Sequence, residues 1–212
     1  MNTLTQAQVE LAVTTMTEVA LANETYFSDL DAVMGDADFG HSLADGFRVV
    51  KERWGEFDHS SIGPLLLNVA TTLTSHTGGS SGPVWGTLFM RTGMAFRGKT
   101  ELTLDEIAAG LRSGMEGIMK RGGAVLGDKT LVDALNAEVE SLEASAVSGE
   151  GTLIDALDRA ATAAYDMRET SKGWVAKRGR QSFTGERSSG TYDPGIVAFG
   201  DMAKAIVAAL KQ

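Results

Sequence analysis

The sequence predicts an all-α fold, a single domain over residues 1–212 built as a bundle or barrel of eight antiparallel amphipathic helices. Three observations predict it. Apolar residues recur at spacings of three and four through nearly the whole chain, and no stretch shows the alternation of a half-buried strand. Proline, which would interrupt helices, occurs three times in 212 residues. Apolar residues make up 43% of the chain and charged residues 22%, enough apolar material for a sizeable soluble core.

The elements follow in order. Val9, Val13, Met16 and Ala20 mark a first helix, and Leu43, Phe47, Val50 and Trp54 a second. Ile62, Leu65, Leu66, Val69 and Leu73 form the buried stripe of a third. Trp85, Leu88, Phe89 and Phe96 give a fourth, with Pro83 in its first turn, where a missing N–H costs nothing. Thr103 and Glu106 have the spacing of a capping box and open a fifth through Ile107, Leu111, Met115 and Ile118. Leu131, Leu135, Val139 and Leu142 define a sixth, and Leu153, Leu157, Ala161 and Ala164 a seventh. Asp193 and Pro194 cap and start the eighth, whose inner face is Ile196, Phe199, Ala203, Ile206 and Leu210.

Charge and composition exclude several function classes. The net charge is −9 with no basic stripe, which argues against nucleic-acid binding. The absence of cysteine removes disulfides, thiolate catalysis and Cys-ligated metals. Neither a signal-peptide pattern nor an apolar run of membrane-spanning length is present, so no membrane association and a cytoplasmic location are expected.

The connections carry the chemistry. Those after the second, fourth and sixth predicted helices, around residues 55–61, 98–103 and 147–152, are short and plain. Those at residues 28–42, 76–83, 122–130 and 177–195 hold 12 of the 25 glycines in about a quarter of the chain. With antiparallel neighbours, all four lie at the same end of the bundle and converge on one rim. Glycines serving only as helix C-caps would be spread over both ends.

In the first rim segment Asp31, Asp36 and Asp38 fall within eight residues, hard oxygen ligands at irregular spacing that suit Mg²⁺ or Ca²⁺. A polar turn whose aspartates cap a helix is the competing reading of this segment alone. An EF-hand fails, because Phe47 stands where its bidentate Glu belongs. The second segment, Thr77 to Pro83, runs into a helix N-terminus and offers backbone N–H groups and the hydroxyls of Ser80 and Ser81 to an anion. The third, Gly122 to Thr130, is not a P-loop, since Asp128 separates Gly127 from Lys129 and a helix precedes it. Lys129 either approaches a ligand or belongs to a capping turn. The fourth brings Lys177, Arg178, Arg180 and Arg187 beside the acidic segment, and at least one of the three arginines is expected to hold phosphate. His41 and His76 lie in rim segments, His59 elsewhere, and no His pair has zinc spacing.

Taken together, Asp31 with Gly35-Asp36-x-Asp38-x-Gly40, Gly79-x-Ser81-Gly82-Pro83-x-x-Gly86, Gly127-Asp128-Lys129-Thr130, and Gly179-Arg180-x-Ser182 through Gly185-Glu186-Arg187-Ser188 to Asp193-Pro194-Gly195 resemble the nucleotide-binding L subunit of dihydroxyacetone kinase over essentially the whole chain. The resemblance implies a barrel of eight antiparallel helices with ADP or ATP at one rim. It implies that Asp31, Asp36 and Asp38 hold two Mg²⁺ ions bridging the nucleotide phosphates, with Arg180 beside them in the catalytic role. It implies nucleotide contacts from Phe39, Gly40, His41, Ser42, Ser80, Ser81, Gly123, Leu131, Arg180, Asp193, Pro194 and Gly195. It further implies a separate K-type subunit that holds a small ketose, a phosphotransferase-system protein as one phosphoryl donor with free ATP as the other, and in some members a transcriptional regulator as partner. Phe39, Ser42 and Trp85 depart from the residues common in that family, His, Asn and Tyr respectively. A stand-alone phosphohydrolase and a nucleotide-sensing regulatory module are the readings from other classes.

Overall fold

The computed structural model describes residues 2–212, and among them the chain forms nine α-helices: α1 (Gln6–Ala22), α2 (Glu24–Ala32), α3 (Phe39–Glu52), α4 (Ile62–His76), α5 (Ser81–Ala95), α6 (Leu104–Gly122), α7 (Leu131–Ser148), α8 (Leu153–Lys172) and α9 (Pro194–Leu210). Eight match the predicted helices. The ninth, α2, lies where the sequence pattern reads as connection. Asn23 separates it from α1 at a non-helical φ of −107° and ψ of 16°, and its side chain donates to the Val19 carbonyl. Only nine residues long, α2 offers too short an apolar stripe to stand out, although it buries Phe27 completely.

Side-chain capping explains where five of the nine helices begin. The predicted box at Thr103 and Glu106 is present, and so are boxes at Thr5 with Gln8, Thr130 with Asp133, and Thr152 with Asp155. Asp193 accepts from the Ile196 N–H at 2.8 Å, with Pro194 in the first turn of α9.

The long helices close into a ring. Each of α1, α3, α4, α5, α6, α7, α8 and α9 packs against two neighbours in that order, and α9 returns to α1, while α2 lies outside against α3 and α9. A ring of eight has a wider interior than a four-helix bundle, and aromatic side chains fill its middle. Trp85 stands edge-on to Phe47 at 6.0 Å between centroids and tilted against Phe199 at 6.3 Å. Phe47 and Trp85 are buried, each burial stabilising the fold by roughly 2–3 kcal/mol.

The end of the ring where α1, α4, α6 and α8 begin is closed by local pairing. A two-residue strand β1 (Leu4–Thr5) pairs antiparallel with β2 (Glu101–Leu102), Leu4 opposite Leu102, the one departure from an all-helical pattern. The Gln6 N–H donates to the Thr100 carbonyl, and the Ile62 N–H to that of Lys99. His59 belongs to this end, its ring between the Glu10 carboxylate and the Trp54 carbonyl, both at 3.0 Å. Among the described residues no helix is long and apolar enough to cross a membrane.

Candidate functional site

At the other end, where α3, α5, α7 and α9 begin, all four glycine-rich connections border one cavity of about 430 Å³. Its floor is apolar, with Val84, Trp85, Ile118, Leu131 and Val132, and its mouth carries the charges.

Asp31 sits on the last turn of α2 and is only 7% exposed. Its Oδ2 accepts from the Asp38 and Phe39 N–H groups at 3.0 and 3.3 Å, which bends residues 33–38 back over the carboxylate. Ala37 takes a left-handed φ of 62° in this turn, a conformation that costs a β-carbon residue energy and persists where its surroundings impose it. Asp38 accepts from the Ser42 hydroxyl at 2.7 Å. Asp36, at the mouth, pairs with the Arg180 Nε at 3.0 Å.

The second connection lies against this turn. A β-carbon on Gly78 would come within 2.5 Å of the Ser42 hydroxyl oxygen and 3.9 Å of Asp38, so only glycine permits that approach. Ser80 and Ser81 line the cavity, and no side chain caps α5, so its first turn turns uncapped N–H groups and the positive end of the helix dipole to the site.

The third and fourth connections are sewn together. Arg178 donates through Nε to Asp128 Oδ2 at 3.1 Å and through its other nitrogens to the Gly122 and Gly123 carbonyls. Burial pushes the Asp128 carboxyl up, but the Val125 N–H and Arg178 outweigh it and hold the group below the usual carboxylate range. Arg180 has Asp36 as its ion-pair partner across the mouth, whereas exposed Arg187 turns to the Thr184 carbonyl of its own turn. The three arginines are thus sorted by position. Arg178 is committed to Asp128 and two backbone carbonyls, Arg180 faces Asp36, and Arg187 does not line the cavity.

Asp193 caps α9 at the cavity wall and accepts from the Gln181 side-chain amide at 3.4 Å. Burial pushes its carboxyl up to about 7 against the opposing pull of the Ile196 N–H and of Lys129. Gln181 itself is missed by sequence reasoning. It occupies the open position of the Gly-Arg-x-Ser motif, lines the cavity while 5% exposed, and keeps its Oε1 buried without a partner. Nothing in a single sequence distinguishes it from a surface glutamine.

The donor set suits a hard divalent cation: the carboxylates of Asp31, Asp36 and Asp38 and the hydroxyls of Ser42, Ser80 and Ser81, with no sulfur or imidazole on the cavity. As the side chains stand, no three carboxylate or imidazole groups among the described residues converge on one point. Asp36 is turned to Arg180 and Asp38 to Ser42, so an ion would exchange with those two partners while Asp31 is already oriented by backbone amides.

Comparison with known proteins fits this geometry. Residues 33–208 match the model of the DAK2 domain. The "PEP-dependent dihydroxyacetone kinase, ADP-binding subunit DhaL" of Escherichia coli is 34% identical over 209 residues, covering 99% of both chains. The chain belongs to the family of dihydroxyacetone kinase L subunits. Membership makes it a phosphotransferase subunit of the glycerone kinase type. The second dihydroxyacetone kinase DhaL of Listeria innocua is 34% identical over 194 residues, 88% of this chain and 87% of that one. Among solved structures, the dihydroxyacetone kinase of C. freundii in complex with AMP-PNP and Mg²⁺ superposes with a TM-score of 0.67 at 25% identity, over 99% of this chain and 34% of that longer one.

Of the residues that the L-subunit resemblance singles out, the structure brings Asp31, Asp36, Asp38, Phe39, Ser42, Ser80, Ser81, Leu131, Arg180, Asp193, Pro194 and Gly195 to the cavity. It does not bring Gly40, His41 or Gly123 there. Gly40 lets α3 cross α2, since a β-carbon would lie 2.0 Å from the Glu24 carbonyl oxygen. His41 turns outward to Glu24 at 2.6 Å, and that contact holds the Glu24 carboxyl below its ordinary value. Gly123 ends α6 in a left-handed conformation, φ 67°. His76 is exposed at the end of α4. Lys129 approaches no ligand position. It is fully buried, and its Nζ donates to three backbone carbonyls.

Proposed function

We propose that this protein binds ADP or ATP with two Mg²⁺ ions across the mouth of the helical ring and passes a phosphoryl group to dihydroxyacetone, or a related small ketose, held on a separate K-type subunit in the cytoplasm. The observation that carries the reading is the convergence of Asp31, Asp36 and Asp38, Arg180 and the uncapped start of α5 on one cavity with an apolar floor. The charged mouth suits phosphates, and the floor suits a planar base.

Mg²⁺ bound there would neutralise phosphate oxygens and so stabilise charge in the transferred group. The chain's own residues do the rest. Asp31, held by two backbone N–H groups, fixes one side of the cation site, and Asp36 and Asp38 complete it. Arg180 stands within reach of Asp36 and can hold a phosphate oxygen from the opposite wall, while Ser80, Ser81 and the start of α5 donate to others. No side chain need act as a covalent nucleophile; positioning and electrostatics supply the acceleration.

Docking of a K-type partner is supported by exposed apolar residues on the same connections. Val33, Val125 and Leu126 are about half exposed and Phe183 89% exposed. The E. coli relative is named PEP-dependent, which favours retained ADP recharged by a phosphotransferase-system protein over direct use of ATP. The resemblance adds a transcriptional regulator as a further partner.

The test is to titrate purified protein with ADP and ATP, with and without Mg²⁺. Any nucleotide released on denaturation is identified, and phosphoryl transfer to dihydroxyacetone is assayed with a K-type subunit present. Mg²⁺-dependent binding and transfer only with the partner is the expected result. Phosphate release without a partner would establish a phosphohydrolase instead, and binding without any turnover a sensing module.

A further inference from the structure

Lys129 is the largest charged side chain that the fold buries completely, and the proposed mechanism does not use it. Its backbone takes a left-handed φ of 62°, a conformation held by only one other non-glycine residue among those described. Its Nζ donates to the carbonyl oxygens of Lys172 at 3.3 Å, Trp174 at 3.1 Å and Ser188 at 2.7 Å. No carboxylate touches it, and burial lowers its pKa. An ammonium has three donors, and here each meets a carbonyl. The three acceptors are the end of α8 and the two ends of the excursion between Trp174 and Ser188, and that excursion carries Arg178 and Arg180.

The neighbouring contacts act in the same place. The Asp128 carbonyl accepts from the Lys177 N–H at 3.0 Å, and its carboxylate accepts from Arg178. The Ser188 hydroxyl, wholly buried, accepts from the Ala176 N–H at 2.9 Å and donates to the Gly185 carbonyl at 2.6 Å. Without Lys129, the Trp174 carbonyl has no other hydrogen-bond donor among the described residues. A segment whose two ends are pinned to one buried charge loses most of the freedom that an open loop would keep. Arg180, exposed at its tip, inherits that order.

We propose that Lys129 is a positioning residue. It clamps the ends of the 174–188 excursion so that Arg180 is held over the cavity, and it contributes to nucleotide binding only through Arg180. This rests on the proposed nucleotide reading for its binding half; the clamp itself does not.

The test uses the full chain and four proteins: wild type, Lys129→Met, Arg180→Ala and the double variant. Affinity for ADP with Mg²⁺ is measured by calorimetry, melting temperature by circular dichroism, and backbone hydrogen exchange of residues 173–190 without nucleotide. Arg180→Ala is expected to weaken ADP binding roughly ten- to hundredfold, the range for losing a hydrogen bond to a charged group, and Lys129→Met roughly tenfold. The double variant should bind no more weakly than Arg180→Ala, although Lys129→Met lowers the melting temperature in both backgrounds. Exchange in 173–190 should quicken in Lys129→Met and stay unchanged in Arg180→Ala. If Lys129→Met does not fold, Lys129→Gly removes the clamp while relieving the left-handed backbone. Multiplying affinity losses in the double variant, or unchanged exchange in the segment, would overturn the proposal. A wild-type protein that binds no ADP would sink the nucleotide reading, and the exchange measurement would still decide the clamp.

Discussion

The two ends of the helical ring are built from the same kinds of residue to opposite effect. At the end closed by β1 and β2, helices α1, α6 and α8 start in complete capping boxes, α4 has no side-chain cap but its Ile62 N–H donates to the Lys99 carbonyl, and His59 is held on both ring nitrogens. At the rim, α5 starts without a side-chain cap, both left-handed non-glycine residues occur, and the amide oxygen of Gln181 is buried without a partner. Desolvation at the cavity wall pushes the carboxyl of half-buried Asp193 up to about 7. The closed end spends its polar groups on the fold, whereas the rim divides them: Thr130, Asp133 and Asp193 cap α7 and α9, and others are left strained or available. Departures from local consistency that cluster at one place mark function rather than poor folding.

Substitutions at the two ends should therefore have different consequences. The largest effect is expected from Asp36→Asn, which removes a carboxylate from the mouth and the partner of Arg180. Mg²⁺-dependent ADP affinity should fall roughly a hundredfold or more with helicity intact, and unchanged affinity by calorimetry would erase the contrast between the ends. Next, Phe183→Asp at the rim should leave ADP binding as it is and reduce partner-dependent transfer roughly tenfold, the scale of losing one exposed aromatic anchor. Equal loss in both assays would place Phe183 in the nucleotide site instead.

Titration separates the ends as well. Asp193 titrates near 7 in the folded chain against an ordinary 3.8. Between those values the native state holds a proton that the unfolded chain has lost, so stability falls as pH rises through that window. Asp193→Asn keeps a capping acceptor and lacks the titration. Its stability relative to wild type in urea should rise from pH 5 to pH 8, and a constant difference would refute the raised carboxyl. His59 at the closed end is shifted upwards, chiefly by the Trp54 carbonyl and then by Glu10. Its contribution is complete below 6.5 and lost as pH rises through the higher folded value, so wild type should lose its advantage over His59→Gln as pH is raised from 6.5, with no change in ADP affinity. The smallest effect is Thr103→Ala, which opens one capping box at about 1 kcal/mol and should leave the rim silent.

Much of this was legible beforehand. A helical stripe is a local property, so the positions of eight helices, the caps at Thr103 and Asp193, and the segregation of glycine-rich connections could all be read from spacing. α2 escaped because one asparagine breaks it from α1 and nine residues carry too few apolar positions. Asp31 reads from spacing as part of a connection, whereas it sits buried on the last turn of α2. Lys129 read equally as a ligand group or a capping turn, because spacing does not say which carbonyls surround an ammonium.

The sequence by itself determined the helical class, the pole at which the chemistry gathers, and the residue types available there, since periodicity and glycine placement depend only on neighbours along the chain. Tertiary structure alone decided that the ring closes from α9 to α1, that Arg180 pairs with Asp36 while Arg178 goes to Asp128, and that His41 and Gly40 serve the contact with α2 instead of the cavity. Those outcomes depend on which side of a backbone faces which distant partner. Packing of the whole ring sets that direction, and no local signal carries it.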